Sequence, residues 1–224
     1  MTLAEKRNLL GSILRGYGRA AVAFSGGCDS SLLCAAARDE LGDAAIAITV
    51  VSPLLPASEL EDAKAVARSL GIEHLLVEEG GIDEAVAANP PDRCYHCKKI
   101  EFAALARAAR SRGFATLLDG SNLDDEGDYR PGMRALAELG VSSPLKEAGL
   151  RKAEIRELAR LRGLATWDKP AAACLASRFP YGERLDAAGL SMVEAAESFL
   201  RGLGLGQLRV RCHGGRLARL EVPP

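Results

Sequence analysis

A continuous apolar run that breaks on paired glycines and resumes as a helix limits this chain more than any other feature. After Arg19, the residues Ala20-Ala-Val-Ala-Phe24 are all apolar, as in a strand covered on both faces. Ser25-Gly26-Gly27-Cys28-Asp29-Ser30-Ser31 follows, and helical spacing runs over Ser30–Leu41 to Gly42. The glycines let backbone N–H groups turn inward. The first helical turn leaves further N–H groups free, so the junction suits an anion. Ser25, Ser30 and Ser31 add hydroxyl donors, whereas Asp29 suits Mg²⁺ better than an anion. No lysine stands in the loop, which separates it from the GxxxxGK[ST] pattern. The plainer alternative is a tight strand–helix turn with a Ser or Asp cap.

The flanking pattern sets the fold class. Leu3–Tyr17 reads as an amphipathic helix, and Ala44–Val51 and Glu73–Glu78 as buried strands. Between those strands lies a helix, Ser58–Leu70, with Ser58 as N-cap, Glu61 completing a capping box and Gly71 as its stop. The order β-α-β-α-β predicts an α/β fold with a parallel, doubly wound sheet and right-handed crossovers. Beyond a loop at Asn89–Asp92 come a helix at Lys98–Arg112, a strand at Thr116–Asp119 and a turn-rich acidic stretch, Gly120–Gly132. Met133–Leu139 and Lys152–Leu161 read as helices, Trp167–Gly182 as irregular, and Ala187–Leu203 as a last helix. Leu208–His213 and Leu217–Val222 read as strands across Gly214-Gly215. Two strands alone are marginal, so they are expected to pair with something else.

Composition excludes several classes. With 29 basic and 30 acidic residues the net charge is −1, against a protein that holds nucleic acid by charge alone. The longest apolar run, around Ala44–Val51, is far short of the ~20 residues a membrane span needs. Met1–Arg7 carries both signs of charge with no apolar stretch after it, so no secretory signal is read and the expected location is cytoplasmic.

In a reducing compartment, grouped cysteines read as metal, cluster or redox sites. Of the six, only Cys94 and Cys97 are locally paired, and Cys174 lies in the second irregular loop. Were both loops to face the ligand edge of the sheet, three thiolates would leave one coordination position open. Zinc would fill it with His or water; a 4Fe–4S cluster would leave one iron free for an extra sulfide. Alternatively, Cys94 and Cys97 form a redox disulfide serving a Cys174 persulfide. Cys28, Cys34 and Cys212 read as small packing residues, and Trp167 as a packing anchor. Arg209 and Arg211 alternate with Leu208, Val210 and Cys212, so both guanidiniums share one strand face and fit a phosphate. Ser177 and Arg178 flank Cys174 and are placed to position a substrate carboxylate.

These motifs carry a resemblance. Ser25-Gly-Gly-Cys-Asp-Ser30 resembles the loop of the PP-loop ATP pyrophosphatase superfamily, whose members cleave ATP to AMP and pyrophosphate. Asp119-Gly-Ser-Asn-Leu-Asp-Asp125, Ser143-Pro-Leu145 and Lys152-Ala-Glu-Ile-Arg-Glu-Leu-Ala159 resemble its synthetases. Asn89-Pro-Pro-Asp-Arg-Cys-Tyr-His-Cys-Lys-Lys99, Asp128-Tyr-Arg-Pro-Gly132, Trp167-Asp-Lys-Pro170 and Ala173-Cys-Leu-Ala-Ser-Arg-Phe-Pro-Tyr-Gly182 are similar to the LarE family, the ATP-dependent sulfur transferases of nickel-pincer cofactor synthesis. The resemblance covers nearly the whole chain. It implies a PP-loop ATP pyrophosphatase domain over 1–165. The remainder, 166–224, would hold the sulfur-donor loop and a small C-terminal α+β substrate-binding unit, shorter than is usual in the family.

The same resemblance implies an adenylating sulfurtransferase acting on pyridinium-3,5-biscarboxylic acid mononucleotide, with ATP and Mg²⁺. ATP would bind at Ser25, Gly26, Gly27, Asp29, Ser30, Ser31 and Gly120, and the substrate phosphate at Arg209 and Arg211. Glu197 matches an acidic position that resembles a metal or substrate contact. In the best-known mode of the family the cysteine matching Cys174 surrenders its own sulfur. Members with the extra Cys-x-x-Cys pair resemble cluster users, which favours a 4Fe–4S cluster on Cys94, Cys97 and Cys174. A homo-oligomer and a downstream nickel-inserting enzyme are the implied partners. The rival readings are a tRNA-thiolating PP-loop enzyme, an amide-forming PP-loop synthetase and a non-catalytic nucleotide- or cluster-binding partner protein.

Overall fold

The computed structural model describes residues 1–127, 131–214 and 217–222. Strands β1 (Ala20–Ala23), β2 (Ala45–Val51), β3 (Glu73–Glu78) and β4 (Thr116–Leu118) form one parallel sheet in the order β3-β2-β1-β4. A single parallel bridge from Leu118 to Ser142 extends its edge. Helices α1 (Leu3–Tyr17), α2 (Cys28–Leu41), α3 (Ala57–Leu70), α4 (Glu84–Ala87), α5 (Arg93–Ser111), α6 (Pro131–Glu138), α7 (Pro144–Glu147) and α8 (Lys152–Leu161) surround it. Alternate residues of β1 enter different cores. Ala20 and Val22 pack with Leu14, Leu33, Leu145 and Ile155 on one side. Ala21 packs with Ile46, Ile48, Phe102 and Leu105 on the other. The sheet is therefore buried on both faces, as its apolar strands require.

The strand order reverses beside β1. From β1 the chain steps outward to β2 and β3, then returns to place β4 on the opposite side. Open α/β sheets bind ligands where the order reverses, outside the carboxyl ends of the strands. The loop after β1 carries Ser25–Gly27, and the turn after β4 carries Gly120. A Cβ at Gly120 would lie 3.1 Å from the Ser30 nitrogen, so a glycine there lets the two turns touch.

Two boundaries differ from expectation. Helix α3 begins at Ala57 without a side-chain cap of its own; the Ala57 N–H donates instead to Glu194 Oε1 (2.5 Å). A carboxylate brought by tertiary structure thus takes the role assigned to the Ser58 capping box. Helix α5 begins at Arg93 rather than Lys98, so Cys94 and Cys97 stand on its first turns and not in a loop.

The C-terminal part comprises a 3-10 turn (Leu175–Arg178), α9 (Ala187–Gly202), β5 (Arg209–His213) and β6 (Leu217–Glu221). The last two pair antiparallel, with each other alone among the described residues, and the further partner they were expected to find is α9 and the 3-10 turn. Cys212, Leu175, Phe179, Leu190 and Val193 share a core with Leu54 and Val86. Packing and one buried carboxylate replace the missing ladder. Asp128–Arg130 and Gly215, parts of two sequence motifs, lie outside the described residues.

Candidate active site

The phosphate loop has an anion site built from its backbone. Among the described residues, the N–H groups of Cys28, Asp29 and Ser30 at the start of α2 have no acceptor, as expected of a first helical turn. Ser30 Oγ donates to Gly27 O (3.2 Å) and lies 3.1 Å from the exposed Ser25 hydroxyl. The Ser31 hydroxyl is buried with no partner among the described residues. Gly26 adopts φ +70° with Ala63 atoms 2.9 Å from where a Cβ would stand. Both the left-handed backbone and the approach of α3 require glycine there.

Two lysines absent from the loop reach it from elsewhere. Lys152 Nζ, from α8, lies 2.6 Å from Asp29 Oδ2 and 2.8 Å from Oδ1. Burial pushes the Asp29 carboxyl up and Lys152 pulls it back, leaving it above the usual carboxylate range. Lys169 Nζ lies 3.5 Å from Gly26 O and pairs with Glu59 (2.9 Å) and Asp62 (2.7 Å) on α3. Sequence reading assigned neither lysine a role, although both stand in motifs quoted for the resemblance.

The three cysteines fall in one neighbourhood. Cys97, one helical turn from Cys94, packs against the core that holds Leu175 and Ala176, the residues that follow Cys174. The link is a hub at the start of α5. Buried Arg93 donates to Ala176 O (3.2 Å) and to Asn89 Oδ1. Asn89, at φ +51°, donates through Nδ2 to Pro180 O (2.7 Å) and Glu183 O (3.1 Å). This hub ties the Cys-x-x-Cys helix to the Cys174 loop. Cys97 Sγ is engaged with Glu101 Oε1 at 3.2 Å, and burial raises the Cys97 thiol. The Cys174 thiol is exposed at the surface, yet the protein around it raises its pKa by desolvation, opposed by Arg93. The donor set has the chemistry of a three-thiolate cluster site, yet among the described residues no three Cys, His, Asp or Glu converge as metal ligands. Cys28, Cys34 and Cys212 are buried.

Glu197 and Arg178 do not behave as read from the sequence. The Glu197 carboxylate is buried on α9 and accepts from Arg178 Nε (2.8 Å) and Nη2 (3.0 Å), Arg201 Nη2 (2.8 Å) and the Val210 N–H (3.0 Å). Burial raises it, but these donors pull it below the usual carboxylate range. With its lone pairs filled by protein, Glu197 has nothing left for a metal; it clamps α9 to β5 instead. Arg178 adds bonds to Ala173 O (2.7 Å), Cys174 O (3.1 Å) and Ser177 Oγ (3.0 Å). It therefore shapes the cysteine loop rather than offering a free guanidinium. Trp167 is exposed, not a packing anchor; its carbonyl is what the structure uses, accepting from Cys28 Sγ (3.7 Å) and Arg156 Nη1 (3.3 Å).

Beside the loop, a cavity of about 310 Å³ opens between Glu59, Asp62, Lys169, Arg201 and Arg209. Arg209 has no carboxylate partner among the described residues and faces this space. Arg211, on the same strand face, instead donates to Ser177 O (2.7 Å) and pairs with Glu221 (2.8 Å). The strand alternation held, but the two guanidiniums went to different partners.

Residues 12–122 match the asparagine synthase family. An uncharacterized protein of Synechocystis is 48% identical over 207 residues, 92% of this chain and 77% of its own length. Pyridinium-3,5-bisthiocarboxylic acid mononucleotide synthase of Lactiplantibacillus plantarum is 40% identical over 225 residues, 99% of this chain and 81% of its own. The tRNA-specific 2-thiouridylase MnmA of Rickettsia felis is more distant, 28% identical over 188 residues, 66% of this chain and 51% of its own. Identity that runs the length of the chain agrees with a nucleotide loop at the switch point of a doubly wound sheet, and this chain belongs to the LarE family of ATP-dependent sulfurtransferases, on the PP-loop fold.

Proposed function

We propose that this enzyme adenylates a carboxylate of pyridinium-3,5-biscarboxylic acid mononucleotide and converts it to a thiocarboxylate. One observation carries the reading: the segment from Lys169 to Cys174 joins the two halves of the chemistry. Lys169 Nζ meets Gly26 O, and five residues later stands Cys174. Five residues span at most about 18 Å, so the sulfur donor stays within reach of a nucleotide held at the loop.

The free N–H groups of α2 and the Ser25 hydroxyl bind the ATP phosphates. A substrate carboxylate oxygen attacks the α-phosphorus and pyrophosphate leaves. The mixed anhydride turns a poor electrophile into a good one. A sulfur nucleophile then attacks the acyl carbon, the C–O bond breaks and AMP departs. Backbone N–H groups stabilise the developing charge. Arg209 holds the substrate phosphate in the cavity, and Ser177 borders the acyl group. Mg²⁺ fits at Asp29, whose carboxylate would exchange Lys152 for the ion; Mg²⁺ supplies charge neutralisation there.

For the sulfur, Cys94, Cys97 and Cys174 would hold a 4Fe–4S cluster once Cys97 leaves Glu101. Such a cluster would supply sulfur at the sulfide level. The thiocarboxylate product carries the soft donor a nickel-inserting enzyme would require.

Protein purified without oxygen is expected to contain iron and labile sulfide and to form AMP, pyrophosphate and thiocarboxylate from the dicarboxylate mononucleotide. Cys174→Ala is expected to keep AMP formation and lose the thiocarboxylate. A protein mass lower by one H₂S after turnover would assign the sulfur to Cys174 itself. AMP formation driven by tRNA and not by the mononucleotide would overturn the substrate assignment.

A further inference from the structure

The segment Trp167–Cys174 crosses from the phosphate loop to the cysteines without regular structure. Ala171 and Ala172 make no backbone hydrogen bond among the described residues and are exposed. What holds the segment is at its ends. At the near end, Arg156 donates to Trp167 O (3.3 Å) and Lys169 O (3.2 Å). At the far end, Arg178 donates to Ala173 O and Cys174 O, and the Leu175 N–H to Leu54 O (3.0 Å). A span tethered only at its ends has no ladder to fix its register.

Lys169 supplies a third constraint, from a side chain. Its ammonium sits between Glu59 Oε2 (2.9 Å) and Asp62 Oδ2 (2.7 Å) on the first turns of α3, with Gly26 O at 3.5 Å. Lys169 and Glu59 are only 16% and 18% exposed. Burial lowers the lysine's pKa, but Asp62 and Glu59 raise it further, so it remains an ammonium at neutral pH. With two carboxylates on one cation, its donors are directed at α3 and the loop carbonyl rather than left open for a phosphate.

We propose that Lys169 is a positioning residue, fixing the sulfur-donor segment against α3 and the phosphate loop so that sulfur meets the acyl-adenylate before water does. This rests on the functional reading above. When the segment slips, water attacks the acyl carbon, AMP leaves and the carboxylate is regenerated. ATP is then spent without thiocarboxylate. A displacement near 1 Å costs on the order of 100-fold in rate.

Two measurements test the assignment. In Lys169→Ala the thiocarboxylate made per AMP is expected to fall at least about tenfold, a ratio from which any change in the AMP rate is divided out. Lys169→Arg, whose planar fork can span both carboxylates, is expected to restore most of the ratio. Glu59→Gln/Asp62→Asn, which leaves the lysine unpaired, is expected to reproduce the loss. An unchanged ratio in Lys169→Ala would overturn positioning, and complete loss of AMP formation would assign Lys169 to direct phosphate binding instead. Independently of turnover, Lys169→Ala is expected to speed hydrogen exchange by about tenfold at the hydrogen-bonded amides of Trp167, Leu175 and Ser177 and leave α2 unchanged. Unaltered exchange there would overturn the proposal even if no substrate were ever found.

Discussion

Gly26 illustrates how one residue answers to two constraints. It adopts φ +70° and lies against Ala63, so an added methyl meets both backbone strain and a neighbouring helix. Gly140 shares the backbone (φ +66°) but has open space around it. Gly140→Ala is expected to cost about 1–2 kcal/mol, the left-handed strain alone. Gly26→Ala is expected to cost more and to weaken ATP binding by about tenfold or more, because α3 must move. Thermal melts and nucleotide titration of both variants separate the strain from the contact. The glycine pair was legible in sequence because a strand, a break and a helix are local patterns. The contact with Ala63 was not, since α3 is brought there by the sheet.

At the scale of elements, the C-terminal hairpin depends on a buried ion cluster more than on strand pairing. Glu197 joins Arg178, Arg201 and the Val210 N–H inside the packing of α9 on β5. Removing one partner of a buried pair leaves an uncompensated charge, so Glu197→Gln is expected to cost about 3–5 kcal/mol by denaturant unfolding. The pH dependence has a definite sign. Glu197 is held below its unfolded value, near 4.3, so its contribution is complete above about pH 4.3. It is lost as pH falls through the lower folded value. Wild type is expected to weaken on acidification through that window, and Glu197→Gln to weaken less. The resemblance offered Glu197 as a metal or substrate contact. That reading did not foresee burial, because an acid on an amphipathic helix carries no mark of the arginines that fold over it.

Across the whole molecule, the hub of Asn89 and Arg93 holds the Cys-x-x-Cys helix to the Cys174 loop. Asn89 accepts from Arg93, donates to two carbonyls of the loop and occupies a left-handed conformation that asparagine tolerates. Asn89→Ala is expected to cost about 2–3 kcal/mol from lost buried hydrogen bonds and added strain. Asn89→Gly relieves the strain and not the bonds, so a partial recovery is expected in chemical denaturation. The β-α-β order, the double winding and the phosphate loop were all determined by the sequence alone, because periodicity and glycine placement act over a few residues. Only the tertiary structure decided which charges meet. Lys152 and Asp29 are 123 positions apart, and Lys169 and Asp62 are 107 apart. Pairs at such separations leave no local signature. They form because packing the sheet and its helices brings the groups together, and their Coulomb attraction in a partly buried setting then holds them.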